Sequence, residues 1–135
     1  WPAHEIAILS AAVADFTPAN PAPEKIKKTP GQETMDLKMV LAPDIAKAMG
    51  ESKRPDQQLI GFALETQNEK ENALRKLERK HMDAIILNSL KDLGAGFGTD
   101  TNRVTILKAN GQSTELPLQT KATIANQIIA HLCAK

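Results

Sequence analysis

Aromatic side chains are scarce in this chain: there is no tyrosine, 1 tryptophan and 3 phenylalanines. Binders of single-stranded nucleic acid stack bases on aromatic platforms, so the shortage argues against that class. Charge imbalance is missing too. The 17 basic and 16 acidic residues leave a formal net charge of +1, which provides no global field for nucleic acid or an anionic membrane. Any anion site must come from local clustering of lysines. The single cysteine, Cys133, excludes an internal disulfide and fits a reducing, cytoplasmic setting. It closes an apolar helical pattern, where packing accounts for it. No apolar run approaches the roughly 18–20 residues needed to cross a bilayer, and no signal peptide is visible. The chain opens on Trp1-Pro2 rather than Met, as expected of a piece of a longer polypeptide. What is present suffices for one domain: of 135 residues, 41% are hydrophobic and 24% charged, enough for a core and a solvated surface.

The pattern along the chain alternates strands and helices. Ile6 to Val13 is a continuous apolar and small-residue run, the expectation for a central parallel strand covered on both faces. Thr17 to Pro30 holds 4 prolines and reads as an extended loop carrying Lys25, Lys27 and Lys28. Thr34 to Val40 alternates and predicts a half-exposed strand or flap. Pro43-Asp44 opens a short helix with Ile45, Ala46, Ala48 and Met49 as its apolar side and Gly50 as its stop. Gln58 to Leu64 is a second buried strand. A helix follows from about Asn68 to His81, with Asn68 and Glu71 at capping-box spacing. Ala84 to Leu87 is the next buried strand. Ser89 to Asn102, with 3 glycines, reads as a loop. Arg103 to Leu107 and Ser113 to Leu118 flank an Asn110-Gly111 hairpin turn. The last helix begins near Thr120, with Ile124, Ile128, Ile129 and Leu132 on one face. This order predicts an α/β sheet, mostly parallel, with an antiparallel hairpin at its edge. Ligands of such sheets sit beyond the carboxyl ends of the parallel strands, after Val13, Leu64 and Leu87.

Several residues there can carry chemistry. Small side chains in Ala11-Ala12-Val13-Ala14 let a flat ligand approach the backbone, and Asp15 can accept hydrogen bonds from it. On local evidence alone, a loop aspartate that caps a turn is the favoured reading of Asp15. Lys25 and Lys27 fall on one side of an extended segment. Such lysines can fold over phosphates or simply remain solvated. On the helix at 68–81, Leu74, Leu77 and His81 mark the buried face with Ala73 beside them. Lys76 and Lys80 lie together at its margin, and Arg75 and Arg79 fall on a more exposed side. An anion between the two lysines would offset their repulsion; otherwise their stems cover the core. Gly61 lets another group approach mid-strand, and Phe62 suits the core or a base. No histidine has metal-ligand spacing. Gly94 to Gly98 is not a complete phosphate loop, and no nucleophile motif is present.

In order, Ala11-Ala12-Val13-Ala14-Asp15-Phe16, Lys25-Ile26-Lys27-Lys28, Pro43-Asp44-Ile45, Gly61-Phe62-Ala63-Leu64-Glu65-Thr66, Lys76 with Lys80, and Asp83-Ala84-Ile85-Ile86-Leu87-Asn88 resemble the bacterial phosphopantothenate–cysteine ligase family over nearly the whole chain. The resemblance implies a Rossmann-like three-layer fold and residues 1–135 as the C-terminal part of the ligase domain. It implies CTP and Mg²⁺, with 4'-phosphopantothenate and L-cysteine joined through an acyl-cytidylate in coenzyme A biosynthesis. Lys25 matches the family's catalytic lysine. Leu9, Ala11, Asp15, Pro43, Asp44, Ile45, Ala46, Phe62, Lys76 and Lys80 match nucleotide-contacting positions. Mg²⁺ is expected mostly on phosphate oxygens, so a protein cage of ligands need not appear. A homodimer is implied, with segment 29–40 a candidate participant, as is a fused decarboxylase domain that would hold FMN outside this chain. Two family features are not in this sequence: the upstream Gly-rich strand–turn–helix, and an upstream asparagine that helps bind phosphopantothenate. Leu64 also stands where the family more often has alanine. A non-catalytic nucleotide-binding or assembly module is the alternative expectation. No Gly-x-Gly-x-x-Gly follows a strand, which argues against a dinucleotide-binding oxidoreductase.

Overall fold

The structure, a computed structural model, describes residues 1–89 and 98–133. The loop expected around Gly94 lies outside the described residues. The chain divides into two units, residues 11–44 and residues 1–10 with 45–135.

The larger unit is built on β1 (Ile6–Leu9), α1 (Ile45–Glu51), β4 (Gln58–Glu65), α2 (Glu69–Arg79), β5 (Ala84–Ser89), β6 (Thr101–Lys108), β7 (Ser113–Thr120) and α3 (Lys121–Leu132). The smaller one carries β2 (Phe16–Pro18) and β3 (Met39–Leu41). Sheet order is β1-β4-β5-β6-β7. The β1–β4 and β4–β5 pairs are parallel, and the β5–β6 and β6–β7 pairs antiparallel. The expected α/β sheet with an antiparallel edge hairpin is therefore present. The hairpin turn has Gly111 at φ 86°, a conformation costly for residues with a Cβ.

Alternation along the strands builds two cores. Leu59, Ala63, Ile85, Leu87 and Leu107 pack with Ala73 and Leu77 of α2, and Ala46 and Met49 of α1 join them. Ile60, Ala84, Ile86, Val104, Ile106 and Leu116 pack with Ile124 and Ile128 of α3. Helices on both faces make three layers, which is why β4 and β5 read as continuous apolar runs. At the amino end of the sheet, Asp83 accepts hydrogen bonds from Leu59 N at 2.7 Å and from Lys53 Nζ at 2.6 and 2.7 Å. Buried Gln57 donates to the His4 carbonyl at 2.7 Å and so ties down the chain's first residues.

The sequence expectations need correction at several points. The first strand stops at Leu9 and lies at the end of the sheet order, with Ile8 40% exposed. Among the described residues it pairs with one neighbour, β4. Only Met39–Leu41 of the 34–40 pattern forms a strand, and all three residues are exposed. Gly50 lies inside α1 and is buried, so it does not stop the helix. Asn68 adopts a left-handed conformation (φ 44°) without a side-chain cap, so no capping box forms. Leu74, His81 and Ile129 are exposed, because α2 and α3 each bury only a narrow stripe.

Candidate functional site

Strand β1 ends at Leu9, level with Gly61, while β4 runs on to Glu65 beside β5. The carboxyl end of β4 thus projects past its neighbour on one side. There Glu65 begins the turn into α2. Its side chain is 13% exposed, and Lys76 Nζ lies 2.6 Å from its Oε1. The ion pair with Lys76 is what compensates this buried oxygen.

One face of α2 supplies the rest. Asn72, Arg75, Lys76 and Arg79 follow i, i+3, i+4, i+7 spacing and so form a single stripe. With Glu65 they line an open cleft of about 450 Å³. Asn72 Nδ2 donates to the Gln67 carbonyl at 2.8 Å and to Glu65 Oε2 at 3.4 Å, while its Oδ1 accepts from Arg75. Three cations and one carboxylate therefore line the cleft. The excess positive charge and the guanidinium forks suit an anion with several oxygens, such as a phosphate chain.

Of the residues expected at the site, Lys76 lines this cleft. Lys80 is the half-buried C-cap of α2. Phe62 belongs to the core on the α3 side of the sheet, opposite to α2. Gly61 admits a close neighbour, as expected; that neighbour is Met82. Leu9 and Ala46 pack against the α2-side core, whereas Ile45 is 53% exposed. In the smaller unit, Asp15 directly precedes β2 instead of ending β1, and its carbonyl accepts from Ala42 N at 2.9 Å. Ala11, Asp15, Lys25, Pro43 and Asp44 are all exposed. Sequence reasoning gave no site role to Glu65 or Asn72 and set Arg75 and Arg79 aside as the more exposed side of the helix. The helical spacing of the last three was the available signal, and Glu65 was visible only within the Gly61–Thr66 segment of the resemblance, with no role given to it.

Among the described residues, no group of three or more His, Cys, Asp or Glu side chains could hold a metal. No described helix is long and apolar enough to cross a membrane.

Comparison with known proteins gives this arrangement a family. The family model described as DNA/pantothenate metabolism flavoprotein C-terminal domain matches residues 1–135. The coenzyme A biosynthesis bifunctional protein CoaBC of Bacillus subtilis (strain 168) is 43% identical over 134 residues, covering 99% of this chain and 32% of that protein. A cysteine/cysteine sulfinic acid decarboxylase from an unknown prokaryotic organism is 49% identical over 125 residues, covering 93% of this chain and 34% of that protein. The chain spans about a third of the length of these curated relatives. A crystal structure of the C-terminal domain of a CoaBC protein aligns with a TM-score of 0.71 at 38% identity, covering 95% of this chain and 55% of that one. With a family model matched from end to end and extensive likeness to CoaBC proteins, this chain belongs to the family of DNA/pantothenate metabolism flavoprotein C-terminal domains.

Proposed function

We propose that this chain is the nucleotide-handling part of a phosphopantothenate–cysteine ligase acting in coenzyme A biosynthesis. The observation that supports it is the cationic cleft of Arg75, Lys76 and Arg79 at the carboxyl end of β4, in a chain of this family. On this reading residues 1–135 are the C-terminal part of the ligase domain, fused in the intact protein to a decarboxylase that holds FMN. The enzyme is a cytoplasmic homodimer.

The nucleotide is CTP, a choice that rests on the family resemblance. A carboxylate oxygen of 4'-phosphopantothenate attacks the α-phosphorus, the bond to pyrophosphate breaks, and an acyl-cytidylate forms. The cysteine amine then attacks the acyl carbon and loses a proton as the bond to CMP breaks. Lys76 and Lys80 hold the nucleotide phosphates. Lys25 offsets the charge that builds at phosphorus, which is electrostatic stabilisation without a covalent enzyme intermediate. Leu9, Ala11, Asp15, Pro43, Asp44, Ile45, Ala46 and Phe62 complete the nucleotide contacts. The described residues offer no acidic cage for Mg²⁺. The ion would arrive with the nucleotide on its phosphate oxygens and would supply charge neutralisation there.

The relative named as a decarboxylase, at 49% identity, favours a second reading in which this chain is a non-catalytic nucleotide-binding or assembly module. Incubating the intact protein with CTP, L-cysteine and 4'-phosphopantothenate separates the two. The ligase releases pyrophosphate and forms the amide; no pyrophosphate under any substrate combination would leave the module.

A further inference from the structure

We propose that Glu65 is a positioning residue for the cleft, holding Lys76 and, through Asn72, Arg75 ready for a polyphosphate. The proposal rests on the phosphate-binding role given to Lys76 above.

A carboxylate at 13% exposure is costly unless it is paired. Pairing with a lysine near the surface contributes little to stability, since the pair must hold a long side chain in one geometry. Its effect here is geometric. An ammonium carries three hydrogens. Glu65 engages one side of Lys76, and the side chain remains 41% exposed, leaving donors for a ligand. Asn72 adds the second link. Its amide nitrogen serves Glu65 and Gln67, so its oxygen is left to accept from the Arg75 guanidinium. Two flexible cations are thereby oriented before any ligand arrives, and Arg79 joins them one turn on.

The sign of one substitution separates positioning from plain electrostatics. Glu65→Gln keeps the shape and removes a negative charge. If Glu65 were only a competing anion, its loss would tighten anion binding. If it positions Lys76, binding weakens, because the ligand must then immobilise that side chain itself. We expect inorganic triphosphate to bind the intact Glu65→Gln protein about tenfold more weakly by calorimetry, the scale of ordering one long side chain. In the Lys76→Ala background, Glu65→Gln should change affinity by less than about twofold, the mark of one residue acting through the other. Glu65→Asp, charged but one methylene short, should fall between wild type and Glu65→Gln, and it decides the matter if the glutamine variant does not fold. Unchanged or tighter binding in Glu65→Gln overturns the proposal, as does wild-type affinity in Glu65→Asp or an equal loss on the Lys76→Ala background. An affinity untouched by Lys76→Ala overturns the phosphate-binding role as well. Absence of ligase turnover with the triphosphate results as expected would sink the ligase reading and leave this proposal standing.

Discussion

Gly50 of α1 passes Lys80 at the end of α2 so closely that a Cβ on Gly50 would lie 1.9 Å from the Lys80 carbonyl oxygen. That contact is with backbone and cannot be relieved by a rotamer change. Gly50→Ala should cost about 3 kcal/mol, the upper part of the usual overpacking range, read from the denaturant midpoint. Gly61→Ala is the control. Its Cβ would meet Met82 Sδ at 2.6 Å, the flexible end of a thioether that can swing aside. About 1 kcal/mol is expected there. Equal losses at the two glycines would contradict this account.

Lys76→Ala with Lys80→Ala in the intact protein should weaken CTP binding at least about tenfold by calorimetry, since each removes a charge-assisted contact. The fold should survive with reduced stability, because both lysines are only partly buried but Lys76→Ala leaves the largely buried Glu65 carboxylate unpaired. Unchanged affinity would reduce the pair to surface charge.

Lys25 is exposed in the smaller unit, so no packing depends on it. Lys25→Gln should lower ligase turnover about a hundredfold or more, the scale of losing one preorganised electrostatic group. Its circular dichroism should match wild type. Turnover near the wild-type rate would remove Lys25 from the mechanism.

Arg54 donates from Nε to Asp56 Oδ1 at 3.0 Å and from Nη2 to Oδ2 at 3.1 Å, and these hydrogen bonds hold the Asp56 carboxyl below its ordinary value of 3.8. A lowered folded-state pKa means that the pair supports the fold above the ordinary carboxyl range. That support fades as pH falls through the lowered value. Arg54→Gln should return the Asp56 titration, followed by carboxyl carbon NMR, towards 3.8. An unmoved titration would show that the pair is not formed in solution.

Legibility differed between strands and helices for a physical reason. β4 and β5 are covered on both faces, so their apolar runs announced burial unaided. Asn110-Gly111 likewise marked the hairpin, because local backbone chemistry decides that turn. Asn68 and Glu71 have the right spacing for a capping box, yet Asn68 takes a left-handed backbone conformation and the box does not form. Ile6 to Val13 looked central because side-chain hydrophobicity does not count a strand's neighbours. Asp15 was placed at a strand end and instead precedes β2, since small residues permit a strand without requiring one.

By itself the sequence determined the strand–helix alternation from β4 onward, the two-faced core of β4 and β5, and the lysines to suspect, while the strand β2 (Phe16–Pro18) went unforeseen and the family came from resemblance of ordered motifs. The features it determined follow from periodicity, turn chemistry and residue order, which are local properties of a chain. Tertiary structure alone decided that Glu65 meets Lys76 and that Asn72 bridges Glu65 to Arg75. It also decided that Phe62 faces the α3 side and that Gly50 abuts Lys80. Those pairings depend on how far β4 outruns β1 and on which stripe of α2 turns to the sheet. Both are set by packing between segments that carry no record of each other in their own composition.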